Sequence, residues 1–216
     1  LVKELKALEV NTPDWFSDRT YPDQCFSNTP AERLIVDLGR AALPEMRMRV
    51  LDGDLYVRKT ALYIFAREME LGDVHALLEL LSDSEVDIRR RASDLLSRFK
   101  QLPGSSLSRL IHHLQRDRDD FVRLNLAQAL CRNENRVGLR ALLQSLFSEK
   151  AEVRAIAARA LRLCTPSFRA ESIKYLEKAL ANEKDKYAFA HIQGAYNNLK
   201  RDDDKLKAQD VSGGSK

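Results

Sequence analysis

An apolar–arginine pair recurs down this chain at a nearly constant interval. Val57-Arg58, Ile88-Arg89, Val122-Arg123 and Val153-Arg154 stand 31, 34 and 31 residues apart. Tyr187-Ala188 follows 34 residues later as a degenerate fifth copy. Five residues before each pair come Asp52, Asp83, Asp117, Ser148 and Asn182. All are residues whose side-chain oxygen can take a free backbone N–H at a helix start, so they are expected N-caps. A period in this range means stacked supersecondary units, none of which can bury its apolar face alone.

Each unit reads as two helices. In the second, Val153, Ile156, Ala157, Ala160 and Leu161 form one stripe at i, i+3, i+4 spacing. Small residues recur on that stripe, at Ala61, Ala92, Ala127 and Ala157-Ala158. Small side chains let stacked helices approach closely. The first helix of each unit is leucine-rich, as in Leu139, Leu142, Leu143 and Leu146. Breakers at Gly72, Pro103-Gly104 and Pro166 separate the units. No run of strict apolar alternation competes. The pattern predicts helices over 30–42, 44–51, 55–69, 73–81, 85–99, 106–115, 119–132, 136–147, 150–163, 168–181 and 184–200. The fold class that follows is all-α, a right-handed α-solenoid of about five helix pairs with an N-terminal cap.

The core Asp54-Leu-Tyr-Val57-Arg58-x-x-Ala61, repeated as Glu85-Val-Asp-Ile88-Arg89-x-x-Ala92, Asp119-Asp-Phe-Val122-Arg123 and Glu152-Val153-Arg154-x-x-Ala157, resembles the HEAT-repeat superfamily. The likeness is strongest to its short bacterial form, the phycobilisome-lyase-like HEAT repeat, and covers roughly residues 44–200. Leu126 departs from it by replacing the first small residue of the third copy. The last copy lacks the arginine, which suits a terminal repeat. The resemblance implies that each signature arginine pairs with an acid near a neighbouring helix start, building a ladder along the stack. Asp54, Asp87, Asp120 and Glu152 are the acids expected to serve. The alternative is an exposed anion-binding stripe.

Three segments follow: a cap and first helix at 1–43, the HEAT-like repeats at 44–200, and a tail at 201–216 expected to be disordered. Residues 11–30 carry Pro13, Trp15, Phe16, Tyr21, Pro22, Phe26 and Pro30. That segment either covers the open face of the first repeat or docks a partner. Cys25, Cys131 and Cys164 form no CxxC and have no matching histidine spacing. Their odd number argues against a disulfide framework or a zinc site. Cys131 and Cys164 read as small core residues, and a reducing, cytoplasmic setting fits. No stretch approaches the length of a membrane span.

Residues that carry chemistry are sparse. His112-His113 are adjacent, so on a helix they diverge and cannot share a metal. One is expected to be partly buried and the other solvated. No GxSxG, HExxH or P-loop occurs. Acid pairs such as Asp119-Asp120 sit where helix starts favour negative charge. The expectation is no enzyme, no cofactor and no metal.

The variable positions of the second helices are more informative, because these helices line the concave side of such a stack. Their non-core positions give Lys59, Tyr63 and Arg67 in the first layer and Arg90, Arg91, Asp94 and Arg98 in the next. Asn125, Gln128 and Arg132 follow, then Arg159 and Arg162. The chain's net charge is only +4, so this face would concentrate positive charge. A groove of one sign attracts an oppositely charged partner. The expected function is a non-enzymatic scaffold or adaptor holding a protein or peptide with an acidic surface. Nucleic-acid binding through the same groove is the alternative. Bilin attachment, which the lyase-like repeat type implies, is a third and minor one.

Overall fold

The computed structural model describes residues 41, 44, 47–51 and 55–213. The aromatic segment 11–30 and nearly all of the 1–43 cap lie outside the described residues. So do Asp52, Asp54 and the side chains of Tyr63 and Arg67.

Helices follow one another with short connections: α1 (Leu55–Glu68), α2 (Val74–Leu80), α3 (Val86–Leu96), α4 (Gly104–Arg116), α5 (Asp120–Arg132), α6 (Arg136–Ser145), α7 (Ala151–Leu161), α8 (Arg169–Asn182) and α9 (Lys186–Gly213). No strand occurs among the described residues. The fold is all-α, of the helical repeat solenoid class. The chain divides into two compact units at Ala92–Ser93, within α3.

In the first unit, Ala61, Leu62 and Phe65 of α1 and Leu77, Leu78 and Leu80 of α2 are buried. Arg47 closes the turn before α2 by bonding both Asp73, which is fully buried, and Glu70. The two carboxylates hold the Arg47 guanidinium above its ordinary pKa.

In the second unit, α5 packs on α4 and α6, and α7 packs on α5, α6 and α9. The helix α8 packs on α9. The second helices α5, α7 and α9 thus meet layer on layer. Buried Ala127, Ala157, Ala158 and Ala188 hold them close. Leucines of the first helices, Leu110, Leu139, Leu142 and Leu176, fill the space on their other side. Each such leucine contributes about 1.5–3 kcal/mol. Leu126, the departure in the third copy, is itself fully buried.

The tightest approach is at Gly138 of α6. A Cβ there would stand 2.4 Å from the Ala127 carbonyl oxygen and 2.7 Å from the Cys131 nitrogen of α5. Alanine is the better helix former by about 1 kcal/mol, yet backbone on the opposing helix cannot move aside. Gly138→Ala is therefore expected to destabilise by about 1–3 kcal/mol net, read as a lower urea midpoint. Just before α6, Glu134 adopts φ 58 and ends α5, with Asn135 N–H on Leu130 O and Glu134 N–H on Cys131 O.

Four expectations are corrected here. Asp83, Asp117 and Ser148 do not cap the helices directly. Asp83, Asp117 and Ser148 each accept the backbone N–H two residues on, from Glu85, Asp119 and Lys150. They fold the loop into the helix. The α5 cap is Asp119, which accepts from Phe121 and Val122.

The fifth copy is Ala188-Phe189 rather than Tyr187-Ala188. Ala188 is fully buried and Tyr187 is exposed. Phe189 N–H bonds Asp185 O as Arg89, Arg123 and Arg154 bond Glu85, Asp119 and Lys150. Glu183, not Asn182, then occupies the turn position and accepts Asp185 N–H.

The tail is helical as far as Gly213. Residues 201–210 hold Lys, Arg, Leu, Ala and Gln with no Pro or Gly to stop the helix.

Cys131 and Cys164 are joined by a disulfide, with Cα atoms 5.3 Å apart. Their sequence separation of 33 is one repeat period, so stacking α7 on α5 brings them together. The bond removes the support that free thiols lent to a reducing compartment.

Candidate interaction face and inter-repeat ladder

Arg58 and Arg154 form rungs of a ladder, on turn acids that are not among those expected. Arg58 pairs with Asp83 at 2.6 Å, and both are largely buried. Arg154 grips Glu183 through two bonds, Nε to Oε2 at 2.6 Å and Nη2 to Oε1 at 2.7 Å. Its Nη1 also donates to the Ser148 and Glu149 carbonyls. Arg89 does the same to the Asp83 and Ser84 carbonyls. Arg89 and Arg154 thus each tie their own entry loop. Arg58 and Arg154 reach the turn acid of the following copy. Arg154 holds the Glu183 carboxyl below the usual carboxylate range, helped by the Lys184 and Asp185 N–H donors.

Arg123 departs from this pattern. Its side chain is 51% exposed, and its carboxylate neighbour is Asp120 of its own helix at 3.7 Å. The reason lies one repeat ahead. Where Arg58 finds Asp83 and Arg154 finds Glu183, Arg123 faces the copy whose turn residue is Ser148. Serine offers no charge. Asp120 pairs instead with Lys150 at 2.7 Å. The missing rung leaves a cleft of about 220 Å³, lined by Asp120, Arg123, Gln144, Ser145 and Ser148 over an apolar floor.

Several candidate binding residues are engaged in the stack. Asn125 donates to Ser93 Oγ and Gln128 to Ser97 Oγ, each at 3.1 Å. Arg132 donates to the Ser97 carbonyl at 3.1 Å. Burial there pushes its guanidinium pKa down. Ser93 and Ser97 are buried, so this is a polar seam between successive layers. Asn133 extends the seam: its Oδ1 accepts Leu102 N–H at 2.7 Å, and its Nδ2 donates to Phe99 and Ala129 carbonyls. Asn133, Ser93, Ser97 and Glu183 carry no sequence signal except their spacing of about one repeat from their partners.

The remaining basic residues divide by exposure. Arg98 pairs with Asp94 at 3.0 Å, and Arg90 lies 3.7 Å from Asp87. Lys59 and Arg91 are half-buried. Arg159 of α7 and Arg162, which caps its C-terminus, are exposed and one turn apart. Beside Arg159, on α9, the exposed Tyr187 ring meets the His191 ring edge-on at 4.6 Å. His191 is held below its ordinary pKa by burial and by the charge of Arg159. Cation, imidazole and aromatic ring therefore share one patch.

His112 is exposed and His113 half-buried, their rings nearly perpendicular. Among the described residues no group of His, Cys, Asp and Glu could hold a metal ion. No helix among them is long and apolar enough to cross a membrane.

The comparisons agree with this architecture. Residues 107–195 match the family model for HEAT repeats. Two engineered proteins solved by the Northeast Structural Genomics Consortium are similar in structure. The first is 21% identical with a TM-score of 0.52, covering 79% of this chain and 83% of its own. The second is 22% identical with a TM-score of 0.53, and this chain spans half its length. A designed armadillo repeat protein is 18% identical with a TM-score of 0.50, over 77% of this chain and 86% of its own. The chain matches no curated protein. The arginine–turn-acid rungs, the alanine-faced second helices and these likenesses lead to one conclusion: residues 107–195 are similar to HEAT repeats, and the chain has the fold of helical repeat proteins.

Proposed function

We propose that this protein is a non-enzymatic scaffold that holds a protein or peptide segment on the face formed by its second helices. The observation that carries this reading is the patch of Arg159, Tyr187 and His191, with the exposed Arg162 one turn beyond Arg159. Arg and Tyr are the residue types that anchor interfaces, because each combines contact area with directional polar groups. The patch is cationic, so an acidic partner surface fits it. HEAT-like folds commonly serve as interaction scaffolds, which supports the reading. Lys59, Arg90 and Arg91 in the first unit, and Arg98 in the second, are further basic residues included in the proposal. Tyr63 and Arg67, at the corresponding positions of α1, belong to the same proposal.

The test separates a protein partner from nucleic acid. Labelled duplex and single-stranded oligonucleotides would be titrated beside a labelled glutamate-rich peptide, at low and moderate salt. An Arg159→Glu/Arg162→Glu variant accompanies the wild type. Phosphate-backbone binding is sequence-tolerant and falls steeply with salt, because neutralised phosphates release counterions. The expected result is oligonucleotide binding that is absent or erased at moderate salt, and peptide binding that weakens in the double variant. Tight oligonucleotide binding that survives moderate salt and vanishes in the variant would overturn the scaffold reading. Peptide binding unchanged in the variant would remove this patch as the site.

A further inference from the structure

The ladder has a gap, and the gap is shaped for what it lacks. Arg58 and Arg154 each receive a carboxylate from the following copy. Arg123 occupies the same register but meets Ser148, and its guanidinium stays half exposed at the rim of a cleft. That cleft of about 220 Å³ has room for several water molecules, at about 30 Å³ each. The end of an aspartate or glutamate side chain therefore fits within it. Ser145 and Gln144 line the same cleft and add polar groups. Asp120, the one carboxylate in the lining, lies 2.7 Å from the Lys150 ammonium and 3.7 Å from Arg123, so two cations offset its charge toward an incoming acid.

We infer that the cleft at Arg123 and Ser148 is a docking site for a carboxylate side chain of a bound peptide, which supplies in trans the acid that the fourth copy omits. This rests on the scaffold reading above and names a second contact point on the same unit. Elsewhere in the ladder the guanidinium takes its acid through two N–H groups, as Arg154 does with Glu183. Such charge-assisted, two-point contacts are stronger than single ones and fix the orientation of the acid.

The probe is an N-acetylated, C-amidated octapeptide of alternating alanine and glutamate, with a glutamine-for-glutamate peptide as control. Arginine Nε–Hε resonances report where it binds, with Arg123→Gln used to assign the Arg123 signal. The glutamate peptide is expected to shift the Arg123 signal saturably and the glutamine peptide to leave it in place. Ser148→Asp puts the acid back in cis. It should raise the melting temperature and weaken glutamate-peptide binding about fivefold or more. Arg123→Gln should weaken binding similarly with little change in melting temperature. Glutamate-peptide binding that leaves the Arg123 signal unmoved and is unaffected by Ser148→Asp would overturn the inference while the scaffold reading stands. No peptide binding at all would overturn the inference too. The scaffold reading would fall only if the Arg159/Arg162 test also failed.

Discussion

Arg154→Ala should lower the stability of the protein by about 3 kcal/mol, while Arg123→Ala should cost less than about 1 kcal/mol. The two residues hold the same place in successive copies, so the difference isolates the environment. Arg154 is largely buried, bonds both oxygens of a carboxylate that is itself almost wholly buried, and satisfies two loop carbonyls. Removing it strands the Glu183 charge and two acceptors together. Arg123 is half exposed with one weak ion pair, so solvent replaces what is lost. Urea denaturation of both variants beside the wild type measures the contrast, and equal losses would contradict the ladder described here. A pH series adds a sign. Arg154 holds Glu183 below the usual carboxylate range, so the folded state binds that proton less readily than the unfolded chain. The stability from this pair is complete above the usual carboxylate range and is lost as pH falls through Glu183's lowered folded value. The wild type's margin over Arg154→Ala should shrink as pH falls below the ordinary glutamate value of about 4.3.

Breaking the Cys131–Cys164 bond should cost about 2–4 kcal/mol. The bridge closes a loop with a sequence separation of 33, and that length sets the chain entropy returned to the unfolded state on reduction. It also pins the end of α5 to the turn after α7, beside the polar seam that Asn133 anchors. Denaturant midpoints with and without reductant, repeated on Cys131→Ala/Cys164→Ala, measure the effect. The double variant should match the reduced wild type and be insensitive to reductant. Thiol alkylation in denaturant without reductant should modify one cysteine, Cys25. Modification of all three would show that the bridge is absent from the isolated protein.

Much of the architecture was legible in the chain. Apolar periodicity located every helix from α1 to α9, most ends falling within two residues, because a stripe at i, i+3, i+4 can be buried only by a helix. The start of α9 fell in the same way, but its end did not: helix-forming residues carried it beyond the last stacked layer to Gly213. The period of 31 to 34 gave the stacked arrangement of helix pairs. It also contained the disulfide, since 33 residues is one period; the odd cysteine count drew attention away from that.

What tertiary structure decided is which groups meet between layers. Periodicity fixes the face a residue occupies on its own helix but not how the next copy is rotated or shifted against it. The fifth copy shows this: Tyr187-Ala188 fits the spacing, yet burial of Ala188 sets the register one residue later and moves Glu183 into the turn. The same limit hid the ladder's true acids, because Asp83 and Glu183 lie near their arginines only once the copies are stacked. Asn125, Gln128 and Arg132 read as outward positions from a single helix. The preceding layer turns them into seam residues by presenting Ser93 and Ser97 at hydrogen-bonding distance. The chain's own pattern determined the repeat, its helices and their apolar faces, which are properties of short segments. Stacking alone determined the partners across the layers, since distances between residues about 30 apart depend on how every intervening side chain packs.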